Sequence, residues 1–99
     1  MRDYIYVLTL TPKFRSQSNW TEKDTDILKK HDQRLSRQKE RDVVKFAGRT
    51  DLPIENEKNF GMVIFKADND TMAELFMQSD PAIMAGIMSA SCQPFKHIY

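Results

Sequence analysis

The chain is poor in the residues that mark several large classes of protein. Cysteine occurs once, at Cys92, which excludes a disulfide scaffold and fits a reducing compartment. Glycine occurs three times, at Gly48, Gly61 and Gly86, so there is no glycine-rich phosphate loop or dinucleotide fingerprint. The longest apolar run, Ala82 to Met88, falls far short of the ~18–20 residues a bilayer span requires. The opening MRDYIYVLTL mixes Asp3 with two tyrosines and lacks the basic-then-apolar order of a signal peptide, so a cytoplasmic protein without membrane contact is expected. An excess of one charge is missing too. Lys+Arg 15 against Asp+Glu 14 leaves a formal net charge of +1, which argues against a module held to nucleic acid by counterion release.

What remains is an ordinary globular composition, 40% hydrophobic and 29% charged in 99 residues, expected to form one domain over 1–99. A chain of this length hides only about 60–65% of the surface its unfolded form exposes, so a partner subunit is expected to complete the core.

Tyr4 to Leu10 is β-branched and aromatic and ends before Pro12, a strand with both faces at least partly covered. Turn formers between Thr11 and Trp20 mark a loop. Thr21 then caps a helix, with Asp24 placed to close a capping box. Its narrow apolar stripe is Ile27, Leu28, His31 and Leu35; Lys29, Lys30, Arg34, Arg37, Lys39 and Arg41, offset by Asp32, Glu40 and Asp42, read as a solvated face. The helix should end near Arg41–Asp42. Val43 to Gly48 is a second strand, and Phe60 to Ala67 is the strongest one, apolar on both faces up to Lys66. A second helix capped by Asp68 or Asp70 runs to Gln78. Pro81 behind Asp80 restarts one more turn, ended by Gly86, and Ile87 to Phe95 alternates like a half-exposed strand.

The order β-α-β-β-α-β gives the ferredoxin-like α+β class, a four-stranded antiparallel sheet with its helices on one face. Both faces are apolar, since Tyr4, Tyr6 and Leu8 alternate with Ile5 and Val7, and Phe60, Met62 and Ile64 with Val63 and Phe65, so the face without helices also needs a cover. A second copy packed sheet to sheet is its simplest cover, so a homodimer is expected.

Few residues are placed to do chemistry. His31 lies inside the apolar stripe, where it is either a buried hydrogen-bonding histidine or a general acid/base. Asp80 before Pro81 is either a helix cap or the carboxylate that fixes the imidazole tautomer. Arg49 at a strand end is either solvated or an anchor for an anionic substrate. Trp20 reads as a hydrophobic staple or a lid over the core, Cys92 as a small buried apolar residue, and Met72, Met77, Met84 and Met88 as core or interface filler. The spacing of His31, Cys92 and His97 fits no metal site, and no cofactor is expected.

Taken in order, the His31 helix, Ala47-Gly48 at a strand end, the Gly61 to Phe65 strand, Ser79-Asp80-Pro81, Ala85-Gly86-Ile87 and Pro94-Phe95-Lys96 resemble the YciI-like (YCII-related domain) family over nearly the whole chain. Arg49 departs from the proline often found there. The resemblance implies a dimeric α/β barrel with His31 and Asp80 together in a cleft. It also implies a small-molecule enzyme doing cofactor-free isomerisation or elimination; a dehydrochlorinase is the family's best-known activity. The competing class is a non-catalytic ligand-binding or structural homodimeric module, in which the same pair merely ties two helices together.

Overall fold

The structure, a computed structural model, describes all residues from Met1 to Tyr99. Strand β1 (Arg2–Leu10) is followed by two short 3-10 turns and helix α1 (Glu22–Glu40). Then come β2 (Val44–Arg49), β3 (Gly61–Ala67), α2 (Asp70–Gln78), the single turn α3 (Pro81–Met84) and β4 (Met88–Pro94). The strands form one antiparallel sheet in the order β2-β3-β1-β4, the ferredoxin-like α+β arrangement. No helix is long and apolar enough to cross a membrane.

The helix ends follow local rules. Thr21 Oγ1 accepts from Asp24 N, and the Asp24 carboxylate accepts from Thr21 N, a complete capping box. At the other end Asp42 adopts a left-handed φ of 61°, so that Asp42 N and Val43 N reach back to the carbonyls of Lys39 and Gln38. Gly86, φ 77°, closes α3 in the same way through Gly86 N to Ile83 O and Ile87 N to Ala82 O. The cap of α2 is Asn69, whose side chain accepts from Met72 N, and not Asp68 or Asp70. Asp70 becomes the first helical residue, with its carboxylate accepting from the Tyr4 hydroxyl at 2.7 Å.

The core lies between the sheet and the helices. Tyr4, Tyr6 and Leu8 from β1, Val44 from β2, and Val63, Phe65 and Ala67 from β3 meet Ala73 and Met77 from α2. A smaller cluster of Leu10, Phe14 and Ile87 sits under Trp20 and Ile27 at one end of the sheet. The methionines divide: Met77 is core and Met88 half-buried, whereas Met72 and Met84 are exposed and fill nothing in this chain.

The helix-free face carries Ile5, Val7, Met62 and Ile64, as alternation along β1 and β3 requires. A register shift between Val44 and Phe46 adds Phe46 to this face, opposite Ile64. Strict alternation would have kept Phe46 on the side of Val44. Phe46 is 51% exposed.

Candidate active site

Helix α1 delivers His31 to the core side of the sheet because its stripe faces inward, and the side chain is buried. Asp80 reaches the same point from the junction of α2 and α3, where Pro81 forces the chain to stop and restart. His31 Nδ1 lies 2.6 Å from Asp80 Oδ1, so the structure brings the two residues together.

The carboxylate is wholly buried and its oxygens are divided among several donors. Oδ1 also accepts from Ala82 N at 3.0 Å, capping α3. Oδ2 accepts from the Tyr6 hydroxyl at 2.8 Å, and Arg34 Nη1 lies 4.0 Å from it. Burial pushes the Asp80 carboxyl up, but the hydrogen bond from His31 and the charge of that ring when protonated, then the hydrogen bonds from Tyr6 and Ala82, outweigh it and hold the group below the usual carboxylate range. Asp80 is therefore a carboxylate that only accepts, so Nδ1 is the donor of their bond and Nε2 is the ring nitrogen left for other partners. Tyr6 shows the reverse effect: burial, and then the neighbouring Asp80 charge, push its hydroxyl far above the ordinary tyrosine value.

His31 also lines a pocket of about 550 Å³, within the range of small-molecule sites. Leu28, Leu35 and Asp32 of α1 form one wall, Leu8, Leu10, Val63 and Met88 of the sheet form the floor, and Trp20, Ile54 and Phe60 close it from the loops. Nε2 is 4.0 Å from the carboxylate of Asp32, which is exposed and also lines the pocket. Arg49, at the end of β2, lines the pocket too; it is exposed and makes no ion pair with another side chain. Gly61, also in the lining, lets β3 lie close to β2 here, since a Cβ on it would meet Gly48 O at 3.3 Å.

The other candidates separate clearly. Trp20 covers the small cluster, with its ring edge-on to Phe14 and Nε1 donating to Phe14 O at 2.9 Å. Cys92 is half-buried, and burial followed by the charges of Glu74 and Asp70 pushes its thiol up to about 11, the state of an unreactive cysteine. No group of three or more His, Cys, Asp or Glu could hold a metal ion. His97 is exposed and pairs with Asp3 at 3.3 Å.

Two contributors escape a reading of the sequence alone. Tyr6 reads as one more apolar strand residue, although its hydroxyl holds the carboxylate. Arg34 reads as part of a solvated basic face, yet its side chain is only 14% exposed. A signal for Arg34 did exist, because three residues after His31 is the same side of a helix.

Neither a protein-family model nor a curated protein sequence matches the chain. Among solved structures it is similar to 5-chloro-2-hydroxyhydroquinone dehydrochlorinase (TftG) from Burkholderia phenoliruptrix AC1100, in complex with 2,5-dihydroxybenzoquinone. The TM-score is 0.68 at 16% sequence identity, over 96% of this chain and 94% of that chain. At that identity the likeness establishes the ferredoxin-like α+β fold, shared from end to end with a dehydrochlorinase.

Proposed function

We propose that the chain is a YciI-like, cytoplasmic, cofactor-free enzyme performing acid/base chemistry, isomerisation or elimination, on a small molecule. One observation carries this reading: Nδ1 of His31 is taken by a buried carboxylate at 2.6 Å, while the histidine itself lines a pocket of about 550 Å³. A purely structural histidine has no need of a ligand-sized pocket beside it.

In this scheme His31 Nε2 takes a proton from a carbon next to a carbonyl group. The C–H electrons form an enolate, and either expel a leaving group from the adjacent carbon or receive the proton back at a different carbon. Asp80 stays ionised, holds the tautomer and stabilises the imidazolium that forms. Arg49 holds an anionic group of the substrate, and the mostly apolar walls accept its carbon skeleton. The dehydrochlorinase of similar fold is in keeping with elimination.

The active form is a homodimer joined through the helix-free face. Phe46, Ile5, Val7 and Met62 give that face an apolar patch of the kind an isologous interface buries. Light scattering should report twice the chain mass, and Phe46→Glu should return the monomer.

The test of catalysis is deuterium exchange. Carboxylates bearing a carbonyl and a β leaving group are incubated with the protein in heavy water and followed by proton NMR. The parent should wash deuterium into the acidic C–H position of at least one compound, and His31→Ala should abolish this while still binding it. Binding without exchange by the parent would favour the competing module, in which Asp80 simply caps α3 and ties it to α1.

A further inference from the structure

Arg34 is a shielded charge on α1, its side chain only 14% exposed, that this chemistry leaves unused. Its position three residues after His31 puts both side chains on one face of the helix. Nη2 donates to Phe76 O at 2.7 Å, and the guanidinium lies over the Phe76 ring at 4.2 Å from its centroid. That ring is itself stacked on Phe65 at 4.6 Å, so the guanidinium is clamped against a rigid aromatic layer. The nitrogen left over, Nη1, is buried, has no hydrogen-bond partner, and stands 4.0 Å from Asp80 Oδ2.

A buried carboxylate needs a compensating positive charge. Two groups are close enough to supply it: an imidazolium at His31, or the permanent guanidinium of Arg34. If His31 supplied it, the resting site would hold a protonated histidine with no lone pair on Nε2, and so no base. We infer that Arg34 is a positioning residue that supplies the countercharge of Asp80, leaving His31 as an uncharged base in the resting site. The inference rests on the acid/base reading and deepens it.

The charged and titratable groups about the imidazole come from every side. Asp80 comes from the α2–α3 junction, Tyr6 from β1 behind that carboxylate, Asp32 and Arg34 from α1, and Arg49 from the pocket wall of β2. Of these only Asp80 bonds the ring, and only Arg34 opposes its charge from within the packed side.

The test is a pH titration of the full chain carrying 15N-labelled histidine, with His31→Asn used to separate the His31 signals from those of His97. Arg34→Gln, which keeps a donor for Phe76 O but loses the charge, should keep the imidazole protonated to a pH higher by about one unit than in the parent. Arg34→Lys should bring it back to within about half of that displacement. An Arg34→Gln titration that coincides with the parent's, or moves to lower pH, overturns the inference. A second measurement needs no variant that might fail to fold. In the parent at 25 °C the Arg34 Nη resonances should be resolved, as for a clamped guanidinium, and averaging to those of a free rotor overturns it equally. Failure of the underlying reading shows elsewhere, as an Nδ1 without its proton in the uncharged parent imidazole, whatever the Arg34 variants do.

Discussion

Replacing Asp80 by Asn keeps the shape of the side chain and removes only its charge and half of its accepting capacity. The carboxylate accepts from His31 Nδ1, Ala82 N and the Tyr6 hydroxyl, and it faces Arg34. An amide cannot serve them all. With its oxygen towards His31 and Ala82, its NH2 points a donor at the Arg34 guanidinium; turned over, the NH2 meets the Ala82 N–H. Bonds to a charged group stabilise by about 1.5–3 kcal/mol against about 0.5–1.5 for neutral ones. Breaking a buried ion pair by removing one partner costs about 3–5 kcal/mol. We take about 3 kcal/mol as the lower bound for Asp80→Asn, which at about 4–8 °C per kcal/mol in a domain of this size is a fall in Tm of at least about 12 °C. The assay is thermal unfolding by circular dichroism at pH 7 and again at about pH 3. Because the folded Asp80 carboxyl lies below its unfolded value of 3.8, its contribution is present above that value and lost as pH falls through the lower folded one. The gap between parent and variant should therefore be wide at pH 7 and narrow in acid. A variant melting within about 3 °C of the parent at pH 7, or a gap indifferent to acid, would refute the account of this site as a fully engaged carboxylate.

Other expectations follow from the same contacts. Tyr6→Phe removes the hydroxyl on Asp80 Oδ2 and should cost about 1.5–3 kcal/mol in urea unfolding at pH 7. The folded Tyr6 value is raised above its unfolded 10.0, so its contribution is intact below pH 10 and fades as pH climbs above it; the variant should lose that part of the alkaline destabilisation. Thr21→Ala breaks the capping box of α1 and should lower stability by about 1 kcal/mol, read as a matching drop in denaturation midpoint. At Gly86 an added Cβ would meet nothing within 4 Å, so Gly86→Ala carries only the strain of φ 77°, about 1–2 kcal/mol.

The architecture was open to reading because its signals are local and repeat. Alternation along Tyr4–Leu10 and Phe60–Ala67, the Thr21–Asp24 box and the Asp80-Pro81 restart each decide one element, and their order leaves few topologies. The meeting of His31 with Asp80 follows from the ordered resemblance and not from spacing, since 49 positions separate them. Tyr6 stayed hidden because a tyrosine serves a strand pattern with its ring, and its hydroxyl matters only once Asp80 is beside it. Arg34 was hidden among like charges: an arginine stem covers apolar surface at an edge as readily as a guanidinium stacks inside. Phe46 was displaced by a one-residue shift in pairing, which period-two reasoning cannot foresee.

Asp80 Oδ1 accepts at once from the backbone that starts α3 and from the imidazole, so one atom serves both folding and the site. This constrains how such a chain can diverge. A descendant that lost its chemistry would still be selected to keep the aspartate, because the last helical turn and the entry into β4 depend on it. Drift would instead be recorded at positions that carry no such double duty, at His31 itself and at exposed pocket residues such as Asp32 and Arg49. Among chains of this architecture the aspartate thus marks ancestry, and the histidine with the pocket mouth marks what each has become.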